Sequence, residues 1–259
     1  MKKITSVLLV IGCLLLCLTA CSASPQELVT EAMENAKTLD AYEATLEMNI
    51  VVTANGEVMT VPMNMDLKIK DARSENPTAY IKLSSKVMDR EVTQEMYMEG
   101  DWIYLTQNGA SYKMNRSSAE DAADGMTDPM EDFATAFPEE IYDSAEVVSN
   151  DDGSQTVSLS LPDALFKELY DDMIESITDS IAADAELTNL TISNVRVDIT
   201  VKDAQVQVYD IRFDMGMNIE GMAVTAVAQE KLTFTKTGDA VVITPMEGYQ
   251  DFTDITSLQ

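Results

Sequence analysis

The side chains that carry most enzyme chemistry are scarce in this sequence of 259 residues. It contains no histidine, and its three cysteines, Cys13, Cys17 and Cys21, all lie near the N-terminus. Without histidine, neither a Ser-His-Asp triad nor a Cys-His pair can form, and the common histidine-bearing zinc sites are excluded. The sequence also has no glycine-rich phosphate loop and no dinucleotide-binding motif. We therefore expect a protein that is not an enzyme and that uses no cofactor.

Carboxylates are the abundant reactive groups, with 45 Asp and Glu residues against 17 Lys and Arg. Two carboxylates can hydrolyse a glycosidic bond, but abundance alone does not indicate such a pair. Carboxylates also bind calcium, and the candidates are Glu120, Asp121, Asp124 and Asp128, and the turn Asp151-Asp152-Gly153. Neither group follows the ligand spacing of an EF-hand loop. We interpret the first as a solvated helix face and the second as a hairpin turn, and we expect no metal site.

The N-terminus has the order of a signal peptide. Lys2 and Lys3 give a positive start, an apolar run extends from about residue 7 to residue 18, and the small Ala20 precedes Cys21. The run is shorter than the roughly 20 apolar residues that span a bilayer. The alternatives are an ordinary signal peptide with an incidental cysteine and an uncleaved anchor helix.

The segment Leu18-Thr19-Ala20-Cys21 resembles the lipobox of bacterial lipoproteins. The resemblance implies cleavage before Cys21 and a diacylglyceryl thioether on its sulfur, and two acyl chains are enough for stable anchoring. Residues 1–20 would then be a lipoprotein signal peptide, residues 21–24 a short lipidated tether, and residues 25–259 one domain. No disulfide could form, because the other two cysteines would leave with the signal peptide. We expect a protein anchored through Cys21 to the extracytoplasmic face of the cell membrane.

The first part of the domain predicts a helix followed by long strands. Ser24-Pro25-Gln26-Glu27 has the form of a capping box, and it begins an amphipathic pattern that reaches about Thr38. From Tyr42 the apolar residues alternate, and Asn55-Gly56 predicts a hairpin between two strands. Pro62 indicates an edge position or a bulge in the second strand. Shorter strands are predicted near residues 80–85, 92–98, 102–106, 111–114, 145–148 and 156–161.

The second part predicts helices and then four more strands. The region near 116–138 is rich in Ser, Ala and Asp and predicts a helical insert. A longer helix is predicted from near Pro162 to about Ile181. A change of alternation near Ser193-Asn194 predicts a bulge in the first strand that follows. The four strands are predicted at residues 190–201, 205–219, 222–235 and 240–244.

Together these elements predict an α+β fold with a single strongly curved antiparallel β-sheet, a half-barrel, and helices packed on its concave face. The pattern resembles the LolA/LppX-like superfamily of envelope lipoproteins and lipid carriers, including uncharacterised lipoproteins of Gram-positive bacteria. The matching segments are the first helix running into Leu39-Asp40-Ala41-Tyr42, and the stretch from Met96 to Tyr104 that turns at Gly100-Asp101. The resemblance implies an apolar cavity between sheet and helices, by analogy of fold.

Methionine is present in excess, with 17 residues against one Trp and six Phe. Its flexible, polarisable side chain suits a surface that accepts varied apolar shapes. We hypothesise that a ligand cavity is lined by strand residues from both parts of the domain. The candidates are Leu46, Met48, Ile50, Met63, Met65, Phe213, Met215, Met217 and Phe234. The alternative, of equal weight, is that methionine fills an irregular core.

Four aromatic residues, Tyr97, Trp102, Tyr104 and Tyr112, lie on neighbouring predicted strands. They could form a sugar- or peptide-binding surface. Cross-strand packing is the commoner reason for such a group.

We expect a non-catalytic surface lipoprotein that binds or carries a lipid or other hydrophobic ligand in a cavity between sheet and helices. The alternative is an envelope interaction, adhesion or sensing module with a filled core and no ligand. The formal net charge of −28 predicts no nucleic-acid partner, because binding to phosphates requires basic residues. The sequence identifies no protein partner.

Overall fold

The structure is a computed structural model, and it describes residues 23–87, 90–118, 137–169 and 187–256. The signal segment and the lipobox lie outside these residues. So do the acidic group at residues 120–128, most of the predicted helical insert, and the predicted second helix beyond Leu169.

Two α-helices lie in the described part of the chain, α1 at Pro25–Lys37 and α2 at Asp163–Leu169. At the start of α1 the Glu27 amide donates to Ser24 Oγ over 3.1 Å, and the Ser24 amide donates to Glu27 Oε2 over 2.9 Å. These bonds satisfy amides that the first turn of a helix leaves unpaired, so the predicted capping box is confirmed. Within the described ranges, neither helix has the length and apolarity needed to cross a bilayer.

The described strands form one open sheet. Their bounds are β1 Ala41–Ala54, β2 Glu57–Lys70, β3 Thr78–Val87, β4 Arg90–Glu99, β5 Trp102–Gln107, β6 Ala110–Asn115, β7 Glu146–Ser149, β8 Gln155–Leu161, β9 Leu187–Lys202, β10 Gln205–Ile219, β11 Met222–Thr237 and β12 Thr253–Asp254. The order across the sheet is β12-β6-β5-β4-β3-β2-β1-β11-β10-β9-β8-β7. Only β12 runs parallel to its neighbour, β6. The single, largely antiparallel sheet is therefore confirmed, while its strong curvature stays a prediction.

Local turn chemistry fixes the strand register. Asn55 and Gly56 join β1 to β2 with φ angles of 53° and 81°, as a tight hairpin requires. The predicted bulge in β9 is confirmed. Asn194 has a φ of 56°, and the register of β9 against β10 shifts at this position. Pro62 pairs with Asn49 of β1, but the pairing of β2 with β3 begins only at Met63. Pro62 therefore lies where one edge of β2 is unpaired, so its missing amide hydrogen costs no hydrogen bond to β3.

The two faces of the sheet differ in chemistry, since residues directly opposite each other in antiparallel strands share a face. We call the face that α1 covers the inner face. The buried side of α1, with Val29 and Ala32, joins one hydrophobic cluster with strand residues such as Ala44 and Leu67. Helix α1 packs on β9 and β10, and Asn35 Nδ2 donates to the Ala204 carbonyl over 2.8 Å.

The outer face is largely polar around the centre of the sheet. Lys236 Nζ lies 2.9 Å from Glu43 Oε2, and Lys68 Nζ lies 3.7 Å from the same oxygen. These bonds hold the pKa of Glu43 below its usual value, mainly because Lys236 donates to the carboxylate. The charged pairs leave the inner face as the main apolar surface of the described strands.

The predicted strand at residues 240–244 is wrong. After β11 ends at Thr237, residues Gly238–Ala240 form a 3₁₀ turn, and the chain then runs without sheet pairing towards β12. Because β1 and β10 already occupy both edges of β11, a further strand has no free edge there to pair with.

Residues 241–254, which we call the C-terminal strap, instead cover an aromatic cluster on the outer face. Tyr97 and Tyr104 pair across β4 and β5 and are both buried. The ring of Tyr249 meets them edge-on, with centroid distances of 5.4 and 4.9 Å respectively. Tyr112 pairs with Leu105 and so lies on the opposite face from Tyr104. The aromatic group is thus packed by the protein's own chain, which leaves no open sugar- or peptide-binding surface at Tyr97 and Tyr104.

We predict that Tyr249→Ala lowers the free energy of unfolding by about 2 kcal/mol, because it removes edge-to-face contacts with two buried rings. Urea unfolding followed by fluorescence measures this loss, since Trp102 is the only tryptophan and packs against the cluster. Val242→Ala is the matched control, because Val242 lies in the strap but is 64% exposed, and it should change stability by less than about 0.5 kcal/mol. Equal stabilities for the two variants would contradict this role of the strap.

Candidate functional site

The inner face of the sheet has two parts that differ in burial. At the end where β1 begins, Tyr42 and Ala44 of β1 and Leu67 and Ile69 of β2 are buried in the main core. Further along the same two strands, towards their hairpin, the inner-face residues are only half-buried. We call these residues, with one from β10, the methionine surface: Leu46, Met48, Ile50, Val61, Met63, Met65 and Met215.

Register brings most of the methionine surface together. Leu46 lies opposite Met65, Met48 opposite Met63, and Ile50 opposite Val61. Six of the nine residues that the sequence suggested as cavity candidates belong to this surface. The structure thus places side chains from two strands side by side on one apolar face, where they could contact the same ligand.

The other three candidates, Phe213, Met217 and Phe234, are buried. The ring of Phe234 meets Tyr42 edge-on with a centroid distance of 5.9 Å. The ring of Phe213 lies 5.1 Å from Phe166 of α2. These two phenylalanines fill core space, so the structure places them beside the methionine surface rather than within it.

Small residues of β11 separate the two sides of this region. Ala226 and Ala228 lie on the inner face between β1 and β10. Their neighbours across the pairing include Ile50 on one side and Met215 on the other. The alanine side chains occupy less space than those that flank them, and both are buried.

The apolar character continues to the hairpin ends. Met59 of β2 is 46% exposed and Met222 of β11 is 37% exposed. The β1–β2 and β10–β11 hairpins lie side by side, since Asn55 Nδ2 is 2.9 Å from Met222 Sδ. The methionine surface therefore runs out to solvent at this end of the sheet, which gives an apolar molecule a route to it.

On the inner face of β1, β10 and β11, one carboxyl group interrupts the apolar surface, that of Glu230. Glu230 lies on β11 opposite Met48 of β1 and Ile211 of β10, and it is half-buried. Burial raises the pKa of its carboxyl above the usual value. Sequence reasoning missed this residue, although a signal was present: Glu230 occupies an apolar position in the alternation of Ala228 and Leu232.

A surface depression along the exposed side of α1 has a different character. Its lining is polar and open to solvent, and consists of Ala23, Gln26, Glu27, Thr30, Glu31 and Glu34. Such a lining does not suit an apolar ligand, which is best held in a mostly apolar, concave site.

The turn Asp151-Asp152-Gly153 connects β7 and β8 as an ordinary hairpin turn. Asp152 Oδ1 accepts hydrogen bonds from the Ser154 amide over 3.0 Å and from Ser154 Oγ over 2.7 Å. These bonds hold the pKa of Asp152 below its usual value. Across the described parts of the chain, no group of three or more acidic or cysteine side chains is placed to hold a metal ion.

Comparison with solved structures finds similar chains at low sequence identity. LprF from Mycobacterium bovis is 12% identical with a TM-score of 0.44, over 86% of this chain and 97% of its own. A DUF1329 family protein from Desulfovibrio piger is 12% identical with a TM-score of 0.24, over 88% and 97% of the two chains. A LolA superfamily protein from Nitrosomonas europaea is 10% identical with a TM-score of 0.24, over 88% and 98%.

Comparison by sequence places the chain in one family. No curated protein matches it. The sequence pattern of DUF6612 matches residues 24–244, which include both described helices and the strands from β1 to β11. The chain therefore belongs to DUF6612, a family of unknown function.

Proposed function

We propose that this protein is a membrane-anchored, non-catalytic binding protein that holds a lipid or other hydrophobic ligand on the methionine surface. The observation that carries the proposal is the change from a buried to a half-buried inner face along β1 and β2. Six apolar side chains of these two strands, together with Met215 of β10, stay half-buried beside a well-packed core. Apolar area that folding leaves partly open is area that a ligand can still remove from water.

The residue types at this surface suit a ligand of variable shape. Met48 and Met63 face each other across β1 and β2, and Met65 follows on the same face. Methionine adapts its three side-chain torsions to what it contacts, so it tolerates different chain lengths and branches. The proposed ligands therefore share an apolar chain whose length and branching can vary.

Anchoring through Cys21 supports the same function. Only a few residues separate Cys21 from the start of α1 at Pro25, so the tether can span at most about 14 Å. A domain held this close to a bilayer is within reach of membrane lipids. The anchor itself rests on the resemblance of Leu18-Thr19-Ala20-Cys21 to a lipobox.

A second candidate function is an interaction module with no ligand. The exposed apolar residues at the β1–β2 hairpin favour it, since Val58 is 66% exposed next to Met59. In that case the hairpin would contact a protein partner, and the methionine surface would take up no small molecule.

We predict that the double variant Met48→Ala/Met63→Ala binds an apolar fluorescent probe about tenfold more weakly than the unmodified protein. Each truncation removes apolar contact area from the proposed site, and about 1.4 kcal/mol corresponds to a tenfold change in Kd. N-phenyl-1-naphthylamine is a suitable probe because it is uncharged. Val51→Ala is the control, since Val51 lies on β1 but faces the outer side. If the unmodified protein does not bind the probe saturably, the interaction module is the better account.

We predict that Cys21→Ser abolishes lipid attachment. The unmodified protein should incorporate an alkyne-labelled fatty acid and fractionate with membranes, because two acyl chains anchor it stably. The variant should remain unlabelled and appear in the soluble or the unprocessed fraction. A variant that is still processed, labelled and membrane-bound would refute anchoring through Cys21.

A further inference from the structure

Glu230 is the one charged residue on the inner face of β1, β10 and β11, all of whose residues are described. Its partners by register, Met48 and Ile211, are apolar. Its same-face neighbours along β11, Ala228 and Leu232, are also apolar. The charged residues of these three strands otherwise lie on the outer face, as Glu43, Asp210 and Lys231 do.

A carboxylate in such surroundings requires a hydrogen-bond donor or a cation as its partner. Among the described residues, no hydrogen bond or ion pair reaches Glu230. Asp210, on the outer face of the neighbouring strand, shows the contrast, because both of its carboxylate oxygens accept from Gln229 Nε2, over 3.1 and 3.0 Å. Partly burying a carboxylate without a partner costs free energy, so the position of Glu230 favours a role in binding.

We propose that Glu230 binds the ammonium head group of an amphiphile whose apolar tail lies on the methionine surface. The inference rests on the proposed function and names its ligand class. An ammonium group donates charge-assisted hydrogen bonds to a carboxylate, and such bonds are about twice as strong as those between neutral groups. Binding would provide the polar partner that the described residues do not supply.

The charge of the whole chain favours the same class of ligand. A formal net charge of −28 attracts cations and repels phosphate, sulfate and carboxylate head groups. An anionic head group at Glu230 would also meet a like charge in a partly apolar site. A cationic amphiphile is therefore the occupant that fits both the local and the overall charge.

The length of the strands sets the room for the tail. Glu230 lies at the boundary between the buried core and the methionine surface. From Glu230 to Met222, at the exposed start of β11, the strand covers about 27 Å. A head group at Glu230 thus leaves an apolar path along β1 and β2 to the hairpin ends, whereas Val224, Ala226 and Ala228 on the inner face of β11 are buried.

The test compares two ligands that differ only in the head group, decylammonium and decanol. The full-length processed protein is labelled with methyl-¹³C methionine and held in nanodiscs of digalactosyldiacylglycerol, a lipid whose uncharged head group carries no ammonium. The Met48 methyl signal, assigned from a Met48→Leu sample, reports binding next to Glu230. The Met98 signal is the internal reference, because Met98 is buried in the core. We expect decylammonium to shift the Met48 signal at concentrations about tenfold lower than decanol.

In Glu230→Gln the ratio of the decanol to the decylammonium concentration that shifts the Met48 signal should fall to about one, because the neutral amide cannot pair with an ammonium charge. Glu47→Gln is the matched control, since Glu47 is an exposed residue on the outer face of β1, and it should retain the preference. Equal binding of both ligands by the unmodified protein would overturn the role of Glu230 while leaving the proposed function in place. A Met48 signal that responds to neither ligand would overturn both.

Stability gives a second readout. Burial raises the pKa of Glu230 in the folded state. Its ionisation therefore opposes folding once the pH rises above the pKa that a glutamate has in the unfolded chain. Glu230→Gln should therefore raise the urea midpoint of the ligand-free protein at pH 7, and the gain should vanish below about pH 4. A lower midpoint at pH 7 would mean that Glu230 already has a stabilising partner, which would contradict the proposal.

Discussion

The pairing of β1 with β11 is the contact on which the rest of the structure depends. It joins two meanders, β1–β6 and β7–β11, into one sheet. The ladder runs from Tyr42 opposite Thr237 to Ala54 opposite Val224, over nearly the full length of both strands. It also places Met48, from the start of the domain, opposite Glu230, from near its end. The candidate site exists only because these two strands meet in this register.

The inner face combines a packed end with a half-buried end. Helix α1 covers the buried end through Val29 and Ala32, and Phe166 of α2 packs against Phe213. Core packing of this kind gives the fold its stability, and Leu46, Met65 and Met215 of the methionine surface pack against its edge. A surface of flexible side chains on rigid strands is well suited to bind apolar molecules without specifying one shape. The carboxyl of Glu230 would then add selectivity for the head group.

The parts of the fold that follow from local chemistry could be predicted from the sequence. The capping box at Ser24, the hairpin at Asn55-Gly56 and the bulge near Asn194 each depend on neighbouring residues. The path of the chain after Thr237 could not be predicted, because it depends on which strand edges are already paired. Glu230 was missed for a similar reason. The alternation of apolar residues on either side of Glu230 is visible in the sequence, but its apolar neighbours on β1 and β10 appear only once the register is known.

Binding of an amphiphile with an apolar tail and an ammonium head group on the inner face is the proposed activity of this protein. It is tested most directly by isolating the protein from the membranes of the cells that produce it and identifying the bound molecules by mass spectrometry. We expect about one molecule of an amine-bearing amphiphile per protein, and its loss from a Glu230→Gln sample prepared in parallel. Protein that carries no bound molecule, or only anionic lipids in equal amounts in both samples, would contradict it.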